Sequence, residues 1–265
     1  MRRDFDRVYL TTRGAVAVIS LNHPEVVNAI SPKMVHGLLD AIAFVNDKEN
    51  GFRAAVLTGE GRGFSSGANL IESPDDRDGP LDAGLYLDKY YHPLLLALRD
   101  LQMPLITAVN GAAAGIGMSI ALMGDLVLAA RSAFFQQAFA RIGLVPDGGS
   151  TWILPRLIGL ARARELSLLA ERLPAETALA WGLINRVCED AALRDDALEI
   201  ASRLADGPTL ALAATRRLFW ASPDHPYEEQ LELEKREQSR AGKTEDFREG
   251  VVAFLKKRPP QFRGR

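Results

Sequence analysis

From Leu101 to Gly124 the chain runs 24 residues without a charged side chain. Few structures accept such a stretch. It is long enough to cross a bilayer as a helix, and it would also suit the middle of a protein core. The residues inside it favour the core. Gln102, Pro104, Asn110 and four glycines interrupt the run. It reads better as a buried strand at Leu105–Val109, a turn at Gly111–Gly115 and a buried helix at Ile116–Met123.

The same order occurs once earlier. Ala54–Thr58 is a short apolar strand, and Gly59 to Gly67 then holds four glycines before Ala68-Asn69-Leu70. Other strands are expected at Val8–Thr12 and Ala15–Leu21, joined at Arg13-Gly14, and at Leu126–Ala130 and Ala133–Phe135. Ser31-Pro32 is an N-cap with proline at the first helical position, and Met34, Val35, Leu38, Leu39 and Ile42 share one face of the helix that follows. Tyr86–Leu101 is a further helix, and Ser73–Pro80, rich in aspartate, is expected to be a mobile surface loop. Strands alternating with helices predict an α/β fold. After about Ser150 the pattern turns helical: Thr151–Ile158, Ala161–Leu169, Ala175–Trp181, Ala191–Asp206, Thr209–Trp220, Tyr227–Ala241 and Glu245–Leu255.

Charge narrows the partners. Lys and Arg total 32 against 34 Asp and Glu, so no electrostatic footprint for nucleic acid or an anionic membrane is expected. Cys188 is the one cysteine, which forbids an internal disulfide, and no Cys/His cluster has metal-ligand spacing. A cytoplasmic setting fits best, and the charged Met1–Arg7 segment lacks an apolar signal core.

Two short motifs carry chemistry. Gly63-Phe64-Ser65-Ser66-Gly67 matches the G-x-S-x-G elbow of serine hydrolases. That elbow needs a strand immediately before it, and here Gly59–Gly63 intervene. Gly115-Ile116-Gly117 hints at a dinucleotide loop but lacks the third glycine, since position 120 is Ile120. Taken together the two segments say more. Each follows a strand and precedes a helix, so in a parallel sheet both lie at carboxyl strand ends, where ligand crevices form. Two opposed backbone N–H groups there could hold an oxygen that becomes negative during reaction.

At this point the chain resembles the crotonase superfamily, the enoyl-CoA hydratase/isomerase family. The likeness is carried by Leu21 to Ile30, by Gly63 to Leu70, by Asn110 to Gly117, by Ile142-Gly143-Leu144-Val145-Pro146-Asp147-Gly148-Gly149, and by Phe254 to Phe262. The resemblance implies a spiral of ββα units over residues 1–200, followed by a helical region at 201–265 that takes part in oligomerisation and CoA binding. It implies an acyl-CoA thioester substrate, no cofactor beyond the CoA the substrate carries, no metal, and a homotrimer or homohexamer. By position, the Ala68 and Ile116 N–H groups would hold the thioester oxygen as an enolate forms. Val26, Val27 and Ala29 would lie along the pantetheine and nucleotide. Ser66, Asn69, Leu70 and Gly115 would line the remaining CoA and thioester contacts. Phe254 and Lys257 would reach CoA from a neighbouring subunit.

The chain departs from the hydratase pattern at two positions. Hydratases that it resembles carry two glutamates beside the substrate, and here Ser119 and Phe139 stand in their places. Neither side chain takes a proton from water near neutral pH. Ser119 and Phe139 are instead candidates for substrate contact. Asp147, directly after Pro146, matches the working aspartate of isomerases and some dehalogenases that the chain resembles. Leu144, Val145 and Trp152 are expected to desolvate it and raise its pKa. A turn or N-cap role would also suit Pro-Asp-Gly. His92, beside Tyr90 and Tyr91, is the near-neutral titrating group in the segment expected to line the acyl pocket. The expected activity is proton transfer of the isomerase type, the alternatives being a hydratase with an atypical site and a non-catalytic acyl-CoA binder.

Overall fold

A computed structural model of the chain describes residues 1–70, 72 and 82–265. The loop expected at Ser73–Pro80 lies outside the described residues. Seven strands form one sheet in the order β1-β2-β3-β4-β6-β8-β11. They are β1 (Arg2–Phe5), β2 (Val8–Arg13), β3 (Val16–Leu21), β4 (Ala54–Gly59), β6 (Leu105–Val109), β8 (Leu126–Ala130) and β11 (Arg186–Cys188). The first three are antiparallel, and from β3 onward every pairing is parallel. β3, β4 and β6 are buried along their whole length, which is why each reads as an unbroken apolar run rather than as an alternation.

A second sheet of four short strands runs β10-β9-β7-β5. Its members are β5 (Gly63–Ser65), β7 (Ala112–Ala114), β9 (Phe134–Gln136) and β10 (Leu173–Pro174). This sheet corrects the expectation that Gly59–Gly67 and Gly111–Gly115 are plain loops. β4, β6 and β8 each continue within a few residues into a strand of the small sheet. β5 pairs with β7, and β7 with β9, all parallel. Three residues are too few to show a period, so glycine and alanine content hid β5 and β7. The outcome is the spiral of ββα units that the resemblance implies.

Among the described residues ten α-helices complete the fold: α1 (Pro32–Asn46), α2 (Ala83–Tyr86), α3 (His92–Arg99), α4 (Ile116–Ala121), α5 (Ser150–Leu169), α6 (Ala175–Trp181), α7 (Leu193–Ala205), α8 (Thr209–Ala221), α9 (Tyr227–Ala241) and α10 (Glu245–Leu255). The Ser31 hydroxyl caps α1 by accepting from Met34 N at 3.3 Å. Where one helix was expected over Tyr86–Leu101, a wider π turn at Leu87–Tyr91 separates α2 from α3. Gly159, at φ 77 and ψ 158, breaks α5 where the sequence divides it. The uncharged run Leu101–Gly124 thus folds as β6, β7 and the wholly buried α4. Among the described residues no helix is long and apolar enough to cross a membrane.

α7 lies on the large sheet, with Ala197, Leu198 and Ala201 buried. α8 is held by one buried charge. Arg216 on α8 meets both carboxylate oxygens of Asp125 at 2.7 Å and donates to the Leu98 carbonyl at 2.7 Å and to the Arg99 carbonyl. Those carbonyls end α3 and have no partner within the helix. The last residues fold back on the body: Arg53 donates to the Phe262 and Gly207 carbonyls, and the Asp246 carboxylate accepts from Arg263 N and Gly264 N.

Candidate active site

The segment from Asn22 to Ile30 is built around Asn28. Its side chain accepts from His23 N at 2.8 Å and donates to the carbonyls of Glu60 and Gly63 at 2.9 Å each. Val27 and Asn28 both adopt left-handed backbone, φ 53 and 52. For a β-branched valine that conformation is costly. It persists here because the surrounding bonds hold it. Ser66 N donates to Val27 O at 2.8 Å, and Ser66 Oγ to Val26 O at 2.9 Å. Val26, Val27, Ala29 and Ser66 therefore sit side by side. Asn69 is buried beside them, its N–H on Ile30 O at 3.0 Å, while Leu70 is exposed.

Ser65 is fully buried, donating to Asn28 O at 2.9 Å and accepting from Gly67 N at 3.2 Å. A nucleophilic serine needs an accessible hydroxyl and a base. This one has neither, so the G-x-S-x-G match is structural.

The two glycine segments touch. A Cβ on Gly67 would stand 2.9 Å from the Ala114 carbonyl oxygen and 3.8 Å from Gly115 Cα, and one on Gly117 would strike Ser65 at 2.6 Å. Only glycine permits this approach. Immediately after these contacts come Ala68 and Ile116. Ile30 N bonds Gly67 O and Asn69 N bonds Ile30 O, so the strand-like bridge passes over the Ala68 N–H. Ile116 opens α4, where an N–H has no partner inside the helix. Among the described residues neither of these two N–H groups donates a hydrogen bond. Both are bare donors, one residue beyond glycines in mutual contact.

Asp147 joins this cluster from the far side. The next residue, Gly148 at φ 60, leans on α4: a Cβ there would fall 2.6 Å from Ser119 Cβ and 2.7 Å from Ile116 Cδ1. The Asp147 Oδ1 atom is buried without a hydrogen-bond partner. Burial pushes its carboxyl up to about 6, with the neighbouring His92 imidazole pulling the other way. The source of that burial differs from expectation. Leu144 and Val145 lie largely in solvent, and the turn is instead shielded by its seat on α4. His92 is half-exposed and binds Asp88 at 3.1 Å through Nδ1. Tyr91 is buried and donates to Ile30 O at 3.2 Å. Phe139 is buried with its ring about van der Waals distance from Gly115, 3.8 Å from where a Cβ would stand. Ser119 is 1% exposed, with its hydroxyl on Asp147 O at 3.2 Å and on Ser150 Oγ at 2.9 Å.

Ala68, Gly115, Ile116, Ser119, Phe139 and Asp147 thus form one cluster, with Val26, Val27, Ala29, Ser66 and Asn69 along its edge. Phe254 and Lys257 are elsewhere. Phe254 lines an open groove of about 430 Å³ with Pro208, Leu210 and Phe262, and Lys257 follows α10 in left-handed backbone. Sequence reasoning missed Asn28, Gln137 and Ser150. Asn28 lies within a segment already singled out by resemblance, but nothing in its spacing announces three side-chain bonds. Among the described residues no group of three His, Cys, Asp or Glu side chains is placed to hold a metal ion.

Comparison with known proteins places the chain in a family. Residues 11–265 match the family described as enoyl-CoA hydratase/isomerase. A protein of Escherichia coli K12 named 1,2-epoxyphenylacetyl-CoA isomerase is 43% identical over 94% of this chain and 95% of its own length. A Rhodobacter capsulatus protein named probable enoyl-CoA hydratase is 46% identical over 94% of this chain and 95% of its own. The crystal structure of an enoyl-CoA hydratase from Bacillus anthracis superposes with a TM-score of 0.90 at 29% identity, covering 98% of this chain and all of that one. The chain belongs to the enoyl-CoA hydratase/isomerase family. Members named as isomerases and as hydratases both stand near it.

Proposed function

We propose that the protein moves a proton between carbons of an acyl-CoA thioester through an enolate, as an isomerase rather than a hydratase. The carrying observation is one buried, unpaired carboxylate oxygen, Asp147 Oδ1, in a cluster with two bare backbone donors. In this reading the Ala68 and Ile116 N–H groups hold the thioester oxygen. The Asp147 carboxylate takes a proton from the carbon adjoining the carbonyl, and the C–H electron pair moves into the carbonyl to leave an enolate. The carboxyl then returns its proton to another carbon as the double bond shifts. One such donor is worth about 2.7–4 kcal/mol in the transition state. A base poised near neutrality is efficient, and burial has brought Asp147 to about 6.

One feature favours isomerisation over hydration. By the resemblance, Ser119 and Phe139 stand where hydratases carry glutamates, and the Ser119 hydroxyl is already bonded within the protein. The relatives carry both names, an isomerase at 43% identity and a probable hydratase at 46%. The CoA-contacting roles of Val26, Val27, Ala29, Ser66, Asn69, Leu70 and Gly115, and those of Phe254 and Lys257 across a trimer or hexamer, belong to the same proposal.

The test uses trans-3-hexenoyl-CoA in D2O, following deuterium entry at the α-carbon and formation of the 2-enoyl product. Asp147→Asn should slow both by about 10²–10⁴-fold. Unchanged exchange in that variant overturns the assignment. Water addition to crotonyl-CoA by the parent protein, read by mass, would restore the hydratase reading.

A further inference from the structure

A buried hydrogen-bond chain ends on Asp147. Gln137 Nε2 lies 3.2 Å from Ser150 Oγ, Ser150 Oγ lies 2.9 Å from Ser119 Oγ, and Ser119 Oγ lies 3.2 Å from Asp147 O. All three side chains are essentially inaccessible. A carbonyl can only accept, so Ser119 must donate its single proton to Asp147 O. Ser119 then accepts from Ser150, and Ser150 accepts from Gln137. The direction of every bond is settled by the last acceptor. Ser150 N adds a second bond to the same Asp147 carbonyl at 3.1 Å.

We infer that Ser119 is a positioning residue for Asp147. Ser119 lies three residues after Ile116 on the six-residue α4. One rigid helical turn therefore carries both the Ile116 amide and the hydroxyl that grips the Asp147 backbone. Gly148 closes the joint, since a Cβ there would meet Ser119 Cβ at 2.6 Å and Ser119 Oγ at 2.8 Å. The spacing between amide donor and carboxylate is thus tied to α4 through Ser119, with Ser150 N at the start of α5 as the second hold on the Asp147 carbonyl. Among the described residues the Asp147 Oδ1 atom receives no hydrogen bond, whereas its backbone carbonyl receives two. That separation matters. Fixing the main chain aims the carboxylate without spending the lone pairs needed to take a proton. A hydroxyl that touched substrate would need a second proton or some exposure, and Ser119 has neither.

This inference rests on Asp147 being the base, so its test carries Asp147→Asn as a reference. With trans-3-hexenoyl-CoA, Ser119→Ala and Ser150→Ala should each lower kcat about five- to tenfold, with KM held within about twofold. The acid limb of the kcat–pH profile should move in both, because a loosened turn changes the burial of the carboxyl. The double variant should be no slower than the slower single one, since one chain is cut in either case. A raised KM with unchanged kcat, multiplied losses in the double variant, or an unmoved acid limb would each overturn the inference. Should Ser119→Ala fail to fold, Ser119→Cys keeps the volume with a weak donor and must show the same loss in kcat. If Asp147→Asn retains full exchange, the base assignment itself fails, which is a separate result.

Discussion

The two ends of this chain solve opposite problems. A methyl on Gly67 would strike the Ala114 carbonyl and one on Gly148 the Ser119 side chain, and the polar atoms nearby are bonded among themselves. The groups left unpaired there, two N–H donors and one carboxylate oxygen, are those proposed to do chemistry. The helices α8 to α10 are amphipathic and leave large apolar side chains in solvent: Phe219 is 74% exposed and Phe254 82%. The first region is complete within one chain. The second presents apolar surface of the kind that marks a contact site. A close-packed site holds unpaired polar groups because its neighbours cannot relax toward them, whereas a loose one would rearrange.

Arg216 ties α8 to Asp125 and to the end of α3, and removing it should have the largest effect on stability. Its guanidinium pairs with Asp125 and closes the carbonyl end of α3. Arg216→Ala leaves the Leu98 and Arg99 carbonyls without their donor, at about 1–3 kcal/mol each, and takes the cation from Asp125, which keeps its bond from Leu105 N at 2.7 Å. Urea unfolding should show that loss as a lower midpoint. A loss under about 1 kcal/mol would mean that apolar packing alone docks α8.

Gly148→Ala attacks the tight region directly. The residue has φ 60, and its new methyl would strike Ser119 and Ile116. Overpacking of this kind costs about 1–3 kcal/mol, and the left-handed backbone adds to it. Because Asp147 adjoins the displaced turn, turnover should fall more than stability does. Thermal unfolding and kcat measured on the same sample separate the two. Near-parent turnover would show that the turn is not tightly seated on α4.

Asp147 offers a subtler contrast between function and stability. Its folded carboxyl sits near 6, above the ordinary 3.8. Between those values the folded state binds more protons than the unfolded state, so stability falls as pH rises through the window. The contribution is full below about 3.8 and lost above about 6. Asp147→Asn, which has no charge to bury, should therefore match the parent in acid and exceed it in stability at pH 8. The parent's kcat should move oppositely, rising with pH through about 6 as the base ionises. Equal stability of the two proteins at both pH values would show the carboxyl to be solvated.

Much of this was legible in the sequence, for identifiable reasons. β6 and β8 match the apolar runs residue for residue, as do α6, α9 and α10, because long or unbroken patterns carry a clear period. Of the small sheet β9 was legible, as Ala133–Phe135, but β5 and β7 were not, since Gly63–Ser65 and Ala112–Ala114 are too short and too small in side chain to signal a strand. β1 was missed because Arg2-Arg3-Asp4-Phe5 is an exposed edge with no apolar face. Ala68, Ile116 and Asp147 were reachable only because a glycine pattern and a resemblance marked their positions. Gln137 and Ser150 belong to a network closed in space, and 31 residues separate Ser150 from its partner Ser119. No spacing rule spans that gap.

Phe254 should give the smallest change within a single chain and the clearest one between chains. Its side chain is 82% exposed on α10, in a groove with Pro208, Leu210 and Phe262. Replacing so exposed a residue changes the stability of an isolated chain by about 0.5 kcal/mol or less. If copies of the chain cover α10, the same residue is desolvated in the assembly, and Phe254→Asp would bury a charge against an apolar partner. The expected result is a shift to smaller species in size-exclusion chromatography with light scattering, while unfolding at high dilution stays at the parent value. KM for acyl-CoA should rise in step with dissociation, because the proposed reach of α10 to CoA comes from a neighbour. Unchanged assembly with raised KM would place Phe254 beside the CoA of its own chain, and unchanged values of both would leave the apolar face of α10 without a role in either.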